Sequence, residues 1–399
     1  AIPPPIEMGG LLAQIIMKLP IKFLGVSLIY LIAGEFLGVL SISGHSYGFA
    51  HSHILLVGFV VSVIMGTIYQ QIPTLSGAQL NSEKLAEASF WLLNSGLIIF
   101  VLGHGKHWIS IPGAFLLLMA FYLFSTVVLL TLKDRKANSY IFKYYLTSSL
   151  FLSLSATLGF FMLFFPDKEL MFAHTHIALL LGVTLLIIGA MSWMLPMVSL
   201  RQIHSEKWMD YIFILLTVGS AVLIIGNIAG IDYLQMAGSI FIIMAVLLFT
   251  ANMFLTYFNN KRAKSVEAKF FISAIFYLLL TFIAGVLAIL NWNVKLFHIH
   301  LALLGFVTQT IFGGMYHVIP MLCYVELLPR MKDKTPPLKE LFSDKVSWVV
   351  FILFNTGILL LLSGFLTDFK YLQISGGLTI ILSTLIFTFE MFKIIRRVL

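Results

Sequence analysis

The sequence predicts an all-α integral membrane protein: twelve transmembrane helices, arranged as three pseudo-symmetric arcs of four. Three observations predict it. Of the 399 residues, 60% are hydrophobic and only 11% charged, too apolar a chain to clothe a soluble surface. Apolar runs near the roughly 20 residues that cross a bilayer core occur twelve times. A patterned block also recurs at an almost constant step along the chain.

The runs lie near 22–42, 50–72, 86–104, 112–133, 144–166, 171–198, 209–230, 235–258, 268–291, 297–322, 345–367 and 373–394. Short polar connections join them and leave no room for a soluble domain, so 1–399 reads as a single membrane domain. The opening "AIPPPIEMGGLLAQIIMKLPIKF" has no basic segment before its apolar part, unlike a signal peptide. Residues 8–18 are expected to form a short helix lying in the interface. The lone cysteine, Cys323, excludes an intrachain disulfide, and no C-x-x-C-H is present to attach a c-type haem.

The net charge of +8 is explained by membrane topology rather than by nucleic acid. If all twelve runs span, Lys106, Lys168, Lys295 and Lys370 fall on one side. The other 21 of the 25 Lys and Arg (25 − 4) fall on the side of both termini. The positive-inside rule then places both termini in the cytoplasm of a cytoplasmic (inner) membrane. Helices 2, 6 and 10 consequently start at the outer, periplasmic face.

Those three helices carry the repeat. They begin "HSHILLVGFVVSVIMGTIYQQIP", "HTHIALLLGVTLLIIGAMSWMLP" and "HIHLALLGFVTQTIFGGMYHVIP". Their first histidines are His51, His174 and His298, steps of 123 (174 − 51) and 124 (298 − 174). Gly66, Gly189 and Gly313 follow 15 positions later, and Pro73, Pro196 and Pro320 follow at 22. The chain thus divides into units near 22–133, 144–258 and 268–394. The glycines read as packing contacts, and the prolines as ends or kinks at the cytoplasmic boundary.

On a helix, residues i and i+2 point about 200° apart. An H-x-H pair there cannot grip one metal; it serves two sites, one on each flank. Three such helices around a pseudo-threefold axis leave three gaps with two histidines each. Opposed histidines are the axial set of a low-spin b-type haem. A single intramembrane histidine could merely hydrogen-bond a neighbouring helix. Six at equal depth argue for function, because uncompensated polar groups are costly in a membrane.

On these motifs the chain resembles subunit I of the haem-copper oxidase superfamily, nearest the cbb-type oxidases. That family has twelve core helices in three arcs, and its helix 10 carries an H-x-H. The resemblance covers nearly the whole chain in topology and helices 2, 6 and 10 in motif. It implies that His51 and His300 hold a low-spin haem. It further implies that His298 is the proximal ligand of a second haem, with His176 where the family's helix 6 copper ligand lies. Pairing the second histidine of one helix with the first of the next gives His300 with His51 and His176 with His298. Extended by symmetry, it gives His53 with His174, a pair that has no counterpart in the oxidases and would hold a third haem or a metal. Lys370 lies where the family places basic partners of the haem propionates; Lys106, Lys168 and Lys295 are the other choices. The family also has two adjacent histidines on helix 7 that complete its copper site. Helix 7 here, "MDYIFILLTVGSAVLIIGNIAG", has none. Two or three b-type haems are therefore expected, and copper is not expected in an oxidase-like site.

Among other polar residues, Glu35 lies in the outer half of helix 1 and must be buried, paired or protonated. It either tunes a site or makes a plain hydrogen bond. His45 and Tyr47 sit in the turn before His51, as partners of the site or as a solvated turn. His104 and His107, in "GHGKHW", have metal-like spacing and read first as a solvated loop. His317 reads as helix packing, and Glu390 needs no special role.

Three function classes follow. The first is a membrane b-type cytochrome that passes electrons laterally to a quinol or a periplasmic electron-transfer protein. The second is an oxidoreductase or sensor whose haem binds or reduces nitric oxide or oxygen. The third, ranked last, is a metal transporter; no broken helix is obvious. Oxygen reduction of the usual haem-copper kind is not expected. Lipid is a partner in every case, and nucleic acid in none.

Overall fold

The computed structural model describes residues 10–258, 265–290, 293–331 and 341–397. Every regular element in them is helical, and twelve helices are long and apolar enough to cross a membrane. They are α1 (Leu19–Ile42), α2 (Gly48–Ser76), α3 (Glu83–Leu102), α4 (His107–Lys133), α5 (Ile141–Phe161), α6 (Lys168–Val198), α7 (Glu206–Ile228), α8 (Asp232–Phe258), α9 (Val266–Ile289), α10 (Lys295–Val325), α11 (Asp344–Thr367) and α12 (Lys370–Ile395). All twelve expected spans are present, with ends displaced by a few residues. Met8 and Gly9 of the expected interfacial helix lie outside the described residues. From Gly10 the chain is one continuous helix with α1, running through Pro20 to Ile42. The connections holding Lys261, Arg262, Lys264, Lys332, Lys334 and Lys339 also lie outside the described residues.

Polar side chains mark several helix starts. Ser82, Ser205 and Ser265 each accept the N–H three residues on, at the starts of α3, α7 and α9. Asp167 does the same for α6, accepting from Leu170 at 2.8 Å. That hydrogen bond holds its carboxyl below the usual carboxylate range.

Packing repeats with the sequence unit. Within each unit the first helix packs on the second and the third on the fourth. The fourth helix then meets the first of the next unit: α4 on α5, α8 on α9, and α12 on α1. The order of contacts therefore closes on itself. The second helices lie inside, and α6 and α10 touch one another. The sequence signalled this burial only through the unbroken apolarity of α2, α6 and α10.

Glycine sets the closest approaches. A Cβ on Gly113 of α4 would lie 2.4 Å from the backbone nitrogen of Phe100 of α3. Gly238 meets Leu223 between α8 and α7 in the same way, and Gly376 meets Leu361 between α12 and α11. Small residues let helix backbones touch where lipid supplies no hydrophobic drive between helices. The repeat glycines act as expected: Gly66, Gly189 and Gly313 pack on Phe23, Tyr144 and Phe270. The prolines lie close to a helix end in two of the three units. Pro73 and Pro196 lie inside helices that end at Ser76 and Val198. Pro320 ends nothing, because its helix continues to Met331.

Replacing Gly113 by Ala should force α3 and α4 apart and lower stability by about 1–3 kcal/mol. Gly48, whose Cβ would meet nothing within 4 Å, should accept Ala with little change. Thermal unfolding of the two variants in detergent checks this; equal midpoints would contradict the close approach.

Candidate functional site

All six histidines of the H-x-H pairs lie half-buried at one end of the helix bundle. In each pair the two rings are held differently, and the difference repeats three times. The first histidine reaches across to the preceding helix. His51 Nδ1 donates to the Gly34 carbonyl at 2.8 Å, His174 Nδ1 to Ser155 at 2.8 Å, and His298 Nδ1 to Thr281 at 2.9 Å. The second histidine turns back onto its own helix. His53 donates to Phe49 at 3.0 Å, His176 to Phe172 at 2.9 Å and His300 to Leu296 at 2.8 Å. Every Nδ1 is thus committed to a backbone carbonyl. A carbonyl only accepts, so Nδ1 carries the proton and Nε2 keeps its lone pair. No Nε2 of the six makes a hydrogen bond among the described residues. This is how a metal-binding histidine is oriented: one nitrogen anchored to the protein, the other a free donor.

The helices are shaped to allow it. Each first histidine lies on a glycine of the preceding helix. A Cβ there would come within 2.6 Å of His51 at Gly38, 2.9 Å of His174 at Gly159 and 3.1 Å of His298 at Gly285. After each second histidine the backbone changes from α- to π-helical for eight residues: Ile54–Val61, Ile177–Thr184 and Leu301–Thr308. Runs of π-helix are rare and gather at functional sites. Their wider turn alters the register between the histidines and the apolar face below them. Hydropathy carries no sign of this change. The glycines of α1, α5 and α9 do recur at near-repeat spacing, a signal that lies outside the H-x-H blocks.

Of the expected pairs, His51 and His300 bring their rings close together. His51 and His300 have centroids 6.5 Å apart and planes 18° from parallel. Two metal–nitrogen bonds of about 2 Å, with roughly 1 Å from each nitrogen to its ring centre, amount to roughly 6 Å. His176 lies within charge-interaction range of His298, and His53 within range of His174 and His104. No three His, Cys, Asp or Glu side chains gather into a metal-holding group among the described residues, so each gap offers a pair.

Aromatic rings flank the second histidines. Phe172 stacks on His176 at 3.8 Å, and Phe365 lies 4.7 Å from His300. Phe49 lies between His53 at 4.2 Å and His104 at 3.8 Å. His104 is exposed in its loop, as the sequence suggested, with its ring stacked on Phe49. His45 is exposed and stacks on Tyr47 at 5.9 Å. His107 and Lys370 are exposed, the latter at the start of α12.

The acids are better tied than their sequence context indicated. Glu35 is buried and accepts from Thr384 Oγ1 of α12 at 2.9 Å, while its other oxygen has no partner. Glu390, which seemed to need no role, is buried and accepts from Tyr316 and from the Ser343 N–H. It binds α12 to α10 and to the start of α11. His317 is half-buried, with Nε2 unpartnered among the described residues.

No known family model matches the chain. It is similar to an uncharacterized protein of Aquifex aeolicus (strain VF5), with 25% identity over 278 residues, 68% of this chain and 70% of that protein.

The six anchored Nδ1 atoms predict one tautomer throughout. With 15N-labelled histidine in cofactor-free protein, the six H-x-H imidazoles should all resonate as Nδ1–H forms at neutral pH. Any of the six found as the Nε2–H form would contradict the assignment.

Proposed function

We propose that this protein is a membrane b-type haem protein that carries electrons near the outer face of the inner membrane. Its H-x-H histidines would hold two or three haems between three arcs of helices. The observation that carries the reading is the His51–His300 pair: rings 6.5 Å apart and nearly parallel, each with Nδ1 anchored on a carbonyl. Two imidazoles with free lone pairs at that separation suit one metal centre between them. His176 with His298 would hold a second haem. The same hydrogen bonds on His53 and His174 support a third haem, or a metal ion, in the last gap. The resemblance to subunit I of the haem-copper oxidases supports His51 with His300 on one haem and His298 on a second, while it puts His176 at the family's copper-ligand position.

When bound, bis-histidine haem supplies one-electron exchange at iron without an open coordination position. The chain's own residues do the rest. Gly34, Ser155 and Thr281 orient the first histidines. Gly38, Gly159 and Gly285 make room for them. Phe172 and Phe365 shield the second histidines from water. Lys370, by the resemblance, would meet a propionate. The sites share one depth, so electrons would move laterally, between a quinol or periplasmic carrier and a further acceptor. The excess of Lys and Arg at the opposite end supports both termini lying in the cytoplasm. Helix α7 contains no histidine, so the three-histidine copper set of an oxidase has no donors there, and an electron carrier or redox subunit is the better reading.

Haem content per protein tests the pairing. His51→Ala and His300→Ala should remove the same haem, lowering the ratio by one in each. His53→Ala and His174→Ala should act alike on the third group. If His51→Ala and His300→Ala lost different haems, the pairing would be wrong. A ratio unchanged by His53→Ala and His174→Ala would reject the third haem.

A further inference from the structure

The three gaps are alike in their histidines and unlike in their surroundings. Only one is connected by stacked rings to an exposed polar side chain. His53 contacts the Phe49 ring at 4.2 Å, and Phe49 lies flat on His104 at 3.8 Å with the planes 12° apart. His104 is exposed on the α3–α4 connection. The stack on His176 ends at half-buried Phe172, and the contact of His300 ends at half-buried Phe365.

Charge singles out the same place. The exposed acids at the histidine end, among the described residues, are Asp167, Glu169, Asp232 and Asp368. All four belong to the second and third units. The first unit presents His45, His104, Lys106 and His107 there, with no acid among them. Trp108, 76% exposed, adds a flat aromatic surface next to Lys106. An aromatic anchor beside unopposed positive charge is the make-up of a surface that steers an anionic partner.

We infer that the α3–α4 connection is the docking surface for a soluble one-electron carrier with an acidic face, and that electrons cross between it and the His53–His174 pair over the His104–Phe49–His53 stack. This rests on the reading that His53 and His174 hold a redox group. The other two gaps lack the stack, so the third gap is the port, and electrons reach it from the others. The step moves one electron and transfers no atom or proton: the reduced centre is oxidised as the carrier is reduced.

Two anionic probes separate the surface from the redox reading. Hexacyanochromate(III) is redox-inert and paramagnetic, and it reports docking whether or not haem is bound. In 15N-histidine-labelled protein at low salt it should broaden His104 and His107 well before His204 at the opposite end. Lys106→Glu should remove the effect, and so should added salt. Ferricyanide then reports electron exchange, taking one electron per ion from the pre-reduced haem-loaded protein. Lys106→Glu should slow that oxidation about tenfold at low ionic strength, while Lys345→Glu, the same charge change at the exposed opposite end, leaves it unchanged. Phe49→Leu, with haem content retained, should slow it at every salt concentration.

Equal broadening at both ends of the molecule would overturn the docking surface. Equal effects of Lys106→Glu and Lys345→Glu would overturn the port. If Trp108 serves only to anchor the chain at the lipid interface, neither probe will favour the α3–α4 connection, and the inference fails. Protein that purifies without haem would sink the proposed function instead, leaving the broadening result to stand or fall by itself.

Discussion

The structure depends on one hydrogen bond made six times, from a histidine Nδ1 to a backbone carbonyl. An imidazole inside a membrane must satisfy its polar atoms within the protein, because lipid offers no partner. Three of these bonds reach from α2, α6 and α10 to Gly34, Ser155 and Thr281 on the preceding helices, and so fix the rotation of each inner helix against its neighbour. The other three use the carbonyl four residues back on the same helix. Together they leave six Nε2 lone pairs at one depth, and helical geometry sends the two of each H-x-H to opposite flanks.

The other repeated features follow from that constraint. The first histidine lies on a helix surface, so the residue beneath it must be glycine, as at Gly38, Gly159 and Gly285. The helix must also continue inward as a buried apolar rod, which places Phe59, Leu185 and Phe306 in the core. The π-helical turn between these two requirements changes the register at the same position in all three units. The hairpins α3–α4, α7–α8 and α11–α12, drawn tight by Gly113, Gly238 and Gly376, form the outer wall against which the inner helices are held.

Much of this was legible in the sequence. Twelve spans could be counted from hydropathy, and the H-x-H, +15 glycine and +22 proline pattern exposed the threefold unit. The pairing of each second histidine to the next first one could be proposed from the sequence, and the structure gives a ring-to-ring distance for one such pair, His51 and His300. What could not be read depends on backbone detail or on partners distant in the chain. No residue type marks a π-helical turn. Glu35 meets Thr384 from the far end of the sequence, and Glu390 caps the start of α11 through the Ser343 N–H. His104 is the exposed loop residue the sequence indicated, but its stack on Phe49 could not be read because Phe49 belongs to another helix. Pro320 looked like a helix end, yet the helix carries on past it.

The central claim is that paired imidazoles hold iron from both sides, and the optical spectrum of the dithionite-reduced protein, recorded before and after carbon monoxide, tests it most directly. Protein expressed with ample haem should show sharp b-type bands that carbon monoxide leaves in place, because both axial positions are filled by histidine. A featureless spectrum would contradict haem binding, and a large carbon monoxide shift would contradict the closed pairs and point to an open, gas-binding iron.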